Sequence, residues 1–262
     1  MRALQTAASG MSAQQLNVEV ISNNLANLNT VGYKRQRAQF QDLLYQTELR
    51  AGALSSDAGT IVPTGIHIGT GVKAGSVYRI TEQGTPAQTG NKLDIAVNGR
   101  GFFQVLLPSG ETAYTRDGTF SKNDQGQIVT ADGYLVQPTI TIPPDATDIT
   151  ISPGGQVQVT QPGIVAPVQI GQLTLATFIN EAGMEAIGGN LLLESGASGA
   201  ATIGTPDVGG VGKLLQQYTE ASNVDAITEI TSLIVAQRAY EMNSKVITAT
   251  DQMLSTSNQM KS

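Results

Sequence analysis

The 262-residue chain has no cysteine, no tryptophan and a single histidine, His67. Without cysteine there are no disulfides, no thiol chemistry and no cysteine-based metal sites. One histidine cannot build a multi-histidine metal centre within one chain. His67 stands in an irregular stretch, exposed or bonded locally, with no catalytic partners converging on it. Aromatic residues are scarce at 5% and charged residues at 14%, and the formal net charge is −6. A mildly acidic balance argues against nucleic acid as a partner. No apolar run reaches the ~20 residues that a membrane-crossing helix needs, so membrane insertion is not expected. The opening MRALQTAASGMSAQQLNVEV has no continuous apolar core, because Gln5, Ser9, Ser12, Gln14 and Gln15 interrupt it. It therefore does not read as a cleaved signal, and any export is expected to proceed without signal cleavage.

What is present is a seven-residue rhythm at both ends. Leu4, Met11, Val18 and Leu25 share one heptad position; Ala7, Ile21 and Leu28 share another, with Gln14 as the defect. The pattern predicts a helix that buries a narrow seam against a partner helix. At the other end Leu233, Tyr240, Ile247 and Leu254 are seven apart, and Ile227, Ile230, Ala236 and Val246 widen the stripe. Ser222 and Asp225, three residues apart, suggest a capping box at its start. No glycine or proline interrupts the chain after Ala221. The outer faces carry Gln, Ser, Thr and Asn rather than charge. An amphipathic stripe usually packs inside its own domain. Here the helices sit at opposite chain ends with uncharged outer faces, which favours contacts between copies. A membrane-surface helix would need a basic polar face, which is missing.

Between the ends, Gly is frequent and Thr, Val and Ile recur, which favours β structure. LDIAVNGRGFFQV places Leu93, Ile95 and Val97 on one face of a strand, with Asn98-Gly99 as a two-residue hairpin turn before Phe103 and Val105. Asp117-Gly118, Asn123 to Gly126 and Asp132-Gly133 punctuate YTRDGTFSKNDQGQIVTADGYLVQP, as expected of consecutive antiparallel strands. TITIPPDATDITISPGGQVQVTQPG and QIGQLTLATF read as further strands. SGASGAATIGTPDVGGVG, at 195–212, reads as an extended connector.

The predicted class is α+β. Residues 1–30 and 222–262 form a helical domain whose helices pair in coiled-coil fashion. Residues 31–75 form a linker and extended arm, 76–194 a mainly antiparallel β domain, and 195–221 the returning connector.

No motif assembles a catalytic group, a cofactor cradle or a metal set. GTGVKAGS, at 69–76, lacks P-loop spacing, and Ala74 stands where a dinucleotide loop needs glycine. Asp117, Asn123 and Asp124 do not have the spacing of an EF-hand. Lys34, Arg35 and Arg37 could hold phosphate or lipid; a solvated basic helix end or a partner contact is the plainer reading.

Four segments resemble one family. SNNLANLNTVGYKR (22–35) is similar to the N-terminal signature of bacterial flagellar rod and hook proteins. LDIAVNGRGFFQV and the turn-rich segment after it resemble that family's central motifs. ASNVDAITEITSLIVAQRAYEMNSKVI (221–247) resembles its C-terminal signature. Size, a single β domain and the arm at about 46–65 resemble its distal rod members most closely. The resemblance implies a structural subunit with no cofactor. Its terminal helices would form the inner tube of a helical polymer, and its β domain the outer layer. Expected partners are copies of itself, other rod proteins and hook protein, the surrounding P- and L-ring proteins and a rod cap. The chain would leave through the flagellar export channel and stand in the basal body between periplasm and outer membrane. The assembly surface would include Leu4, Met11, Val18, Ile21, Leu25 and Leu28, with Asn23, Asn24, Asn27 and Gly32 at the helix boundary. From the other end it would include Ile227, Ile230, Leu233, Tyr240, Ile247 and Leu254. The competing reading is a secreted β-sandwich binding module with an aromatic platform drawn from Tyr78, Tyr114 and Tyr134.

Overall fold

A computed structural model describes residues 2–50, 64–163 and 166–260. The chain divides into two compact units. The first takes residues 1–26, 36–78 and 225–262; the second takes 27–35 and 79–224.

In the first unit, helix α1 (Arg2–Ala26) packs along helix α2 (Ala226–Gln259). The cap of α2 differs from the expected box. Asp225 is the capping residue, its carboxylate accepting the Ile227 N–H at 3.3 Å and the Thr228 N–H at 3.4 Å. Ser222 instead accepts the Val224 N–H, before the helix begins. Strand Gln36–Asp42 pairs with Val72–Arg79, and Tyr45–Leu49 pairs antiparallel with Ile66–Gly69. Strands thus flank residues 51–63, the centre of the expected arm, which lie outside the described residues. His67 bonds locally, its Nδ1 lying 3.0 Å from Thr47 Oγ1.

The second unit is built on a seven-stranded antiparallel sheet. Its order is Glu185–Gly188, Leu191–Leu193, Thr112–Thr115, Phe103–Leu106, Leu135–Gln137, Ile128–Val129, Ser121–Lys122. Asp148–Ile151, Gln156–Thr160 and Val168–Gln172 make a three-stranded antiparallel sheet. One core joins Ile95, Val97, Phe103, Phe120, Val157 and Leu214 among others; a smaller one gathers Phe102, Tyr114, Ala176, Phe178 and Met184.

Two expectations for this unit are corrected. Asn98-Gly99 does not turn a hairpin, because Ile95–Asn98 pairs with Lys213–Gln216 while Phe103–Leu106 pairs elsewhere. The reason is burial on both faces: Ile95, Ala96 and Val97 are all essentially inaccessible, so their strand lies between layers. Asp117-Gly118 is likewise no hairpin turn. A Cβ on Gly118 would sit 1.8 Å from Ile95 O, so glycine serves a close backbone crossing there. The turns at 123–126 and 130–133 do join antiparallel neighbours, with Gly126 and Gly133 at positive φ.

Residues 195–221, read as the returning connector, carry three short strands. Thr202–Gly204, Lys213–Gln216 and Tyr218–Glu220 pair with Leu175–Thr177, Ile95–Asn98 and Pro86–Gln88. Glycine-rich spacing hid them, since each strand is only three or four residues long.

Candidate assembly surface on the terminal helices

The seam of the helix pair uses smaller and more polar residues than the heptads suggested. On α1 the buried residues are Ala7, Ala13, Val20, Ile21 and Asn24. Leu4, Met11, Val18 and Leu25 are half-buried, flanking that line. On α2 the buried residues are Glu229, Ala236 and Thr250, with Leu233 and Ile247 half-buried beside them. Ile227 is 77% exposed, and Ile230, Tyr240 and Leu254 are also exposed. The predicted set therefore splits: Ile21 and Asn24 are inside, Leu233 and Ile247 are at the edge, and the rest of the α2 set faces outward.

Exposed apolar residues continue on the far side of α2. At 100° per residue, Ile227, Ile234 and Met242 stand roughly 140–160° around the helix from Glu229. Val235 is 62% exposed, and Met242 and Val246 are also open. Helix α2 has 34 residues against 25 in α1, so its last turns run past the start of its partner. There Ala249, Met253 and Met260 line an open apolar groove of about 420 Å³. The outer side of α2 is not uncharged as expected: its outward apolar residues alternate with exposed Arg238, Glu241 and Lys245, which hid the second stripe from a search for one. No helix among the described residues is long and apolar enough to cross a membrane.

The Asn-rich boundary divides between the two units. Asn24, at the end of α1, donates to Gln36 O and accepts the Gln36 N–H, both at 2.8 Å. Asn23 is exposed and Asn27 and Leu28 are half-buried. In the second unit, Asn27 takes the Thr30 N–H on its carbonyl at 3.2 Å. Gly32 adopts φ +69° and donates to Glu220 O at 2.8 Å. A Cβ there would lie 2.9 Å from the backbone of Arg116 and Asp117.

Lys34 is not a solvated helix end. Its ammonium pairs with the fully buried Glu220 and donates to Glu82 O at 2.8 Å. Glu220 also accepts the Gly84 N–H at 2.9 Å and the Arg116 guanidinium at 3.4 Å. Burial pushes the Lys34 ammonium below its ordinary 10.5, while Glu220 pulls it the other way. Burial lowers Arg116 similarly, against the same carboxylate. The Arg35 N–H donates to Asn223 Oδ1 at 2.7 Å, and the Asn223 amide donates to Ile80 and Glu82 carbonyls at 3.0 Å. Only Arg37 of the three basic residues is exposed. Sequence reasoning missed this network, whose one signal was a set of charges in a chain that spends few.

Three family models match consecutive parts of the chain. Residues 4–34 match a flagella basal body rod protein model, 96–159 the flagellar hook protein FlgE/F/G D1 domain, and 215–260 the flagellar basal body rod FlgEFG protein C-terminal model. The flagellar basal-body rod protein FlgG of Caulobacter vibrioides is 69% identical over 262 residues, all of both chains. The chain belongs to the flagellar basal-body rod protein family. FlgG of Agrobacterium fabrum is 54% identical and that of Bacillus subtilis 39% identical, each over 97% of both chains. Within the rod protein family, both terminal segments fall inside matched regions. So do the Asn24 boundary, Lys34, Glu220 and all of α2.

Proposed function

We propose that this chain is a structural subunit of the flagellar distal rod, polymerising into a rigid tube that carries torque from motor to hook and forms part of the export channel. The observation that carries the reading is the apolar surface of α2 that α1 leaves open, in a chain similar to rod proteins along its full length. In the polymer the paired helices form a coiled-coil-like inner tube and the β-rich unit an outer layer. Burying one such side chain stabilises by about 1.5–3 kcal/mol, and the contact repeats in every copy. The segment around 46–65 acts as an arm between neighbours. Other rod proteins and hook protein meet the two ends, P- and L-ring proteins surround the tube, and a rod cap attends growth. The chain reaches the basal body, between periplasm and outer membrane, without signal cleavage.

The proposed contact set is Leu4, Met11, Val18, Leu25 and Leu28 with Asn23, Asn27 and Gly32 on one side. Ile227, Ile230, Leu233, Tyr240, Ile247 and Leu254 supply the other, with Ile21 and Asn24 shaping the seam beneath. The test is replacement of the chromosomal gene by Val235→Asp or Leu254→Asp, followed by purification of basal bodies and electron microscopy. Expected are folded monomers and rods missing their distal segment; normal rods from both variants would overturn the reading. The binding-module reading loses its platform: Tyr114 is buried, Tyr134 is half-buried, and Tyr78 belongs to the other unit.

A further inference from the structure

The hydrophobic repeat of the terminal helices does not specify their alignment. Leu4, Met11, Val18 and Leu25 recur every seven residues, and so do Leu233, Tyr240, Ile247 and Leu254. Sliding one helix along the other by a heptad, about 10.5 Å, returns large apolar side chains to equivalent places. Some other feature must select one alignment.

Two contacts do so. Asn24, 1% exposed, donates from Nδ2 to Glu229 Oε2 at 3.1 Å, and Glu229 is itself 1% exposed. Further along, a Cβ on Gly10 would lie 2.8 Å from Asn243 Nδ2, so the missing side chain of Gly10 is the space Asn243 occupies. Gly10 to Asn24 and Glu229 to Asn243 are both spans of fourteen residues, run in opposite chain directions. A single antiparallel register satisfies both. That register also sets Asn17 level with Ala236, which is 2% exposed, and Ala3 level with Thr250, which is 8% exposed. Every seventh layer thus holds a polar side chain opposite a small one, except the layer where Asn24 meets Glu229.

We propose that this ladder of polar and small residues, anchored by Asn24 and Glu229, is the register-determining element of the terminal helices. The inference concerns how the chain folds on itself, and it stands whether or not the chain builds the rod. A one-heptad slip in one direction sets Asn24 against Ala236 and drives Asn17 against Asn243. Glu229 is then carried past the end of α1 and loses the amide of Asn24. A slip in the other direction leaves a void between Gly10 and Ala236, and carries Asn24 past the start of α2. Buried polar groups separated from their partners oppose either slip, whereas the apolar layers tolerate both. Asn24 also holds both backbone groups of Gln36, so α1 cannot shift without releasing that strand.

The absence of native cysteine permits a direct test on the full-length chain. Asn17→Cys with Ala236→Cys reports the native register; Asn17→Cys with Asn243→Cys reports a slip of one heptad. A disulfide needs Cα atoms within ~7 Å, so each pair reports its own alignment. Dilute protein is oxidised, and the intramolecular link is quantified by mass spectrometry. With Asn24 and Glu229 in place, the native-register pair links and the slipped pair yields at least ~10-fold less. With Asn24→Leu and Glu229→Leu together, the slipped link rises to within about threefold of the native-register one, while the latter persists and shows the helices still paired. Equal links with Asn24 and Glu229 present, no native-register link at all, or no slipped link after their replacement would each overturn the proposal. Loss of both links in the leucine variant would overturn it too, by assigning Asn24 and Glu229 to helix formation rather than alignment.

Discussion

Glu220 shows how much a single buried carboxylate can organise. Its side chain accepts from Lys34, Gly84 and Arg116, and its backbone carbonyl accepts from Gly32. Removing one partner from such a cluster leaves uncompensated buried charge. Glu220→Ala should therefore destabilise the second unit by ~3–5 kcal/mol, measured as a urea-unfolding shift of the full chain. Lys34 makes a prediction of opposite flavour. Its folded pKa lies below 10.5, chiefly through burial, so in the alkaline range below that value the unfolded chain holds more protons than the folded one. This group's contribution to stability consequently rises with pH through that window. The urea midpoint of the native chain should gain on that of Lys34→Met as pH climbs toward 10.5. Parallel curves would mean that Lys34 carries no desolvation strain. At Gly32, positive φ and backbone contact at 2.9 Å leave no room for a methyl group. Gly32→Ala should cost more than ~1 kcal/mol, seen as a lowered thermal midpoint of the second unit.

Among the elements, legibility followed burial geometry. Both terminal helices were readable because seven-residue spacing and the lack of breakers persist over many turns. Their seam was not, because Glu229, Ala236, Asn243 and Thr250 do not register as a hydrophobic stripe although they too are seven apart. The turns near Gly126 and Gly133 were readable from local chemistry alone. Asn98-Gly99 misled because a turn signal says nothing of which distant strand claims the residues before it. Here Lys213–Gln216, more than a hundred residues onward, claims Ile95–Asn98. The strands of the supposed connector were too short for periodicity to appear. The buried pairing of Lys34 with Glu220 was hidden for the same reason of distance, being set by contacts 186 residues apart. Core packing offers a check on the second unit. Phe103 is fully inaccessible and meets Phe120 edge-on at 5.0 Å between ring centroids. Phe103→Ala should cost ~3–5 kcal/mol in that unit while leaving the helical signal of the terminal pair intact by circular dichroism.

For the molecule as a whole, neither unit is continuous in sequence. Both are closed by residues near the C-terminal end: Asn24 meets Glu229 across 205 positions, and Lys34 meets Glu220 across 186. Limited proteolysis of dilute chain should yield a resistant fragment containing residues 79–224, whose own core does not draw on the helix pair. Early cutting within Phe103–Leu106 would contradict that division. The long-range closures also govern time. Polypeptides are made, and pass through narrow conduits, one residue after another, and contacts between distant positions form slowly. A partial chain here holds the N-terminal half of two unfinished structures and the closing residues of neither. Closure of both units thereby waits until residues 220–229 have emerged, and that postponement is written into the topology itself.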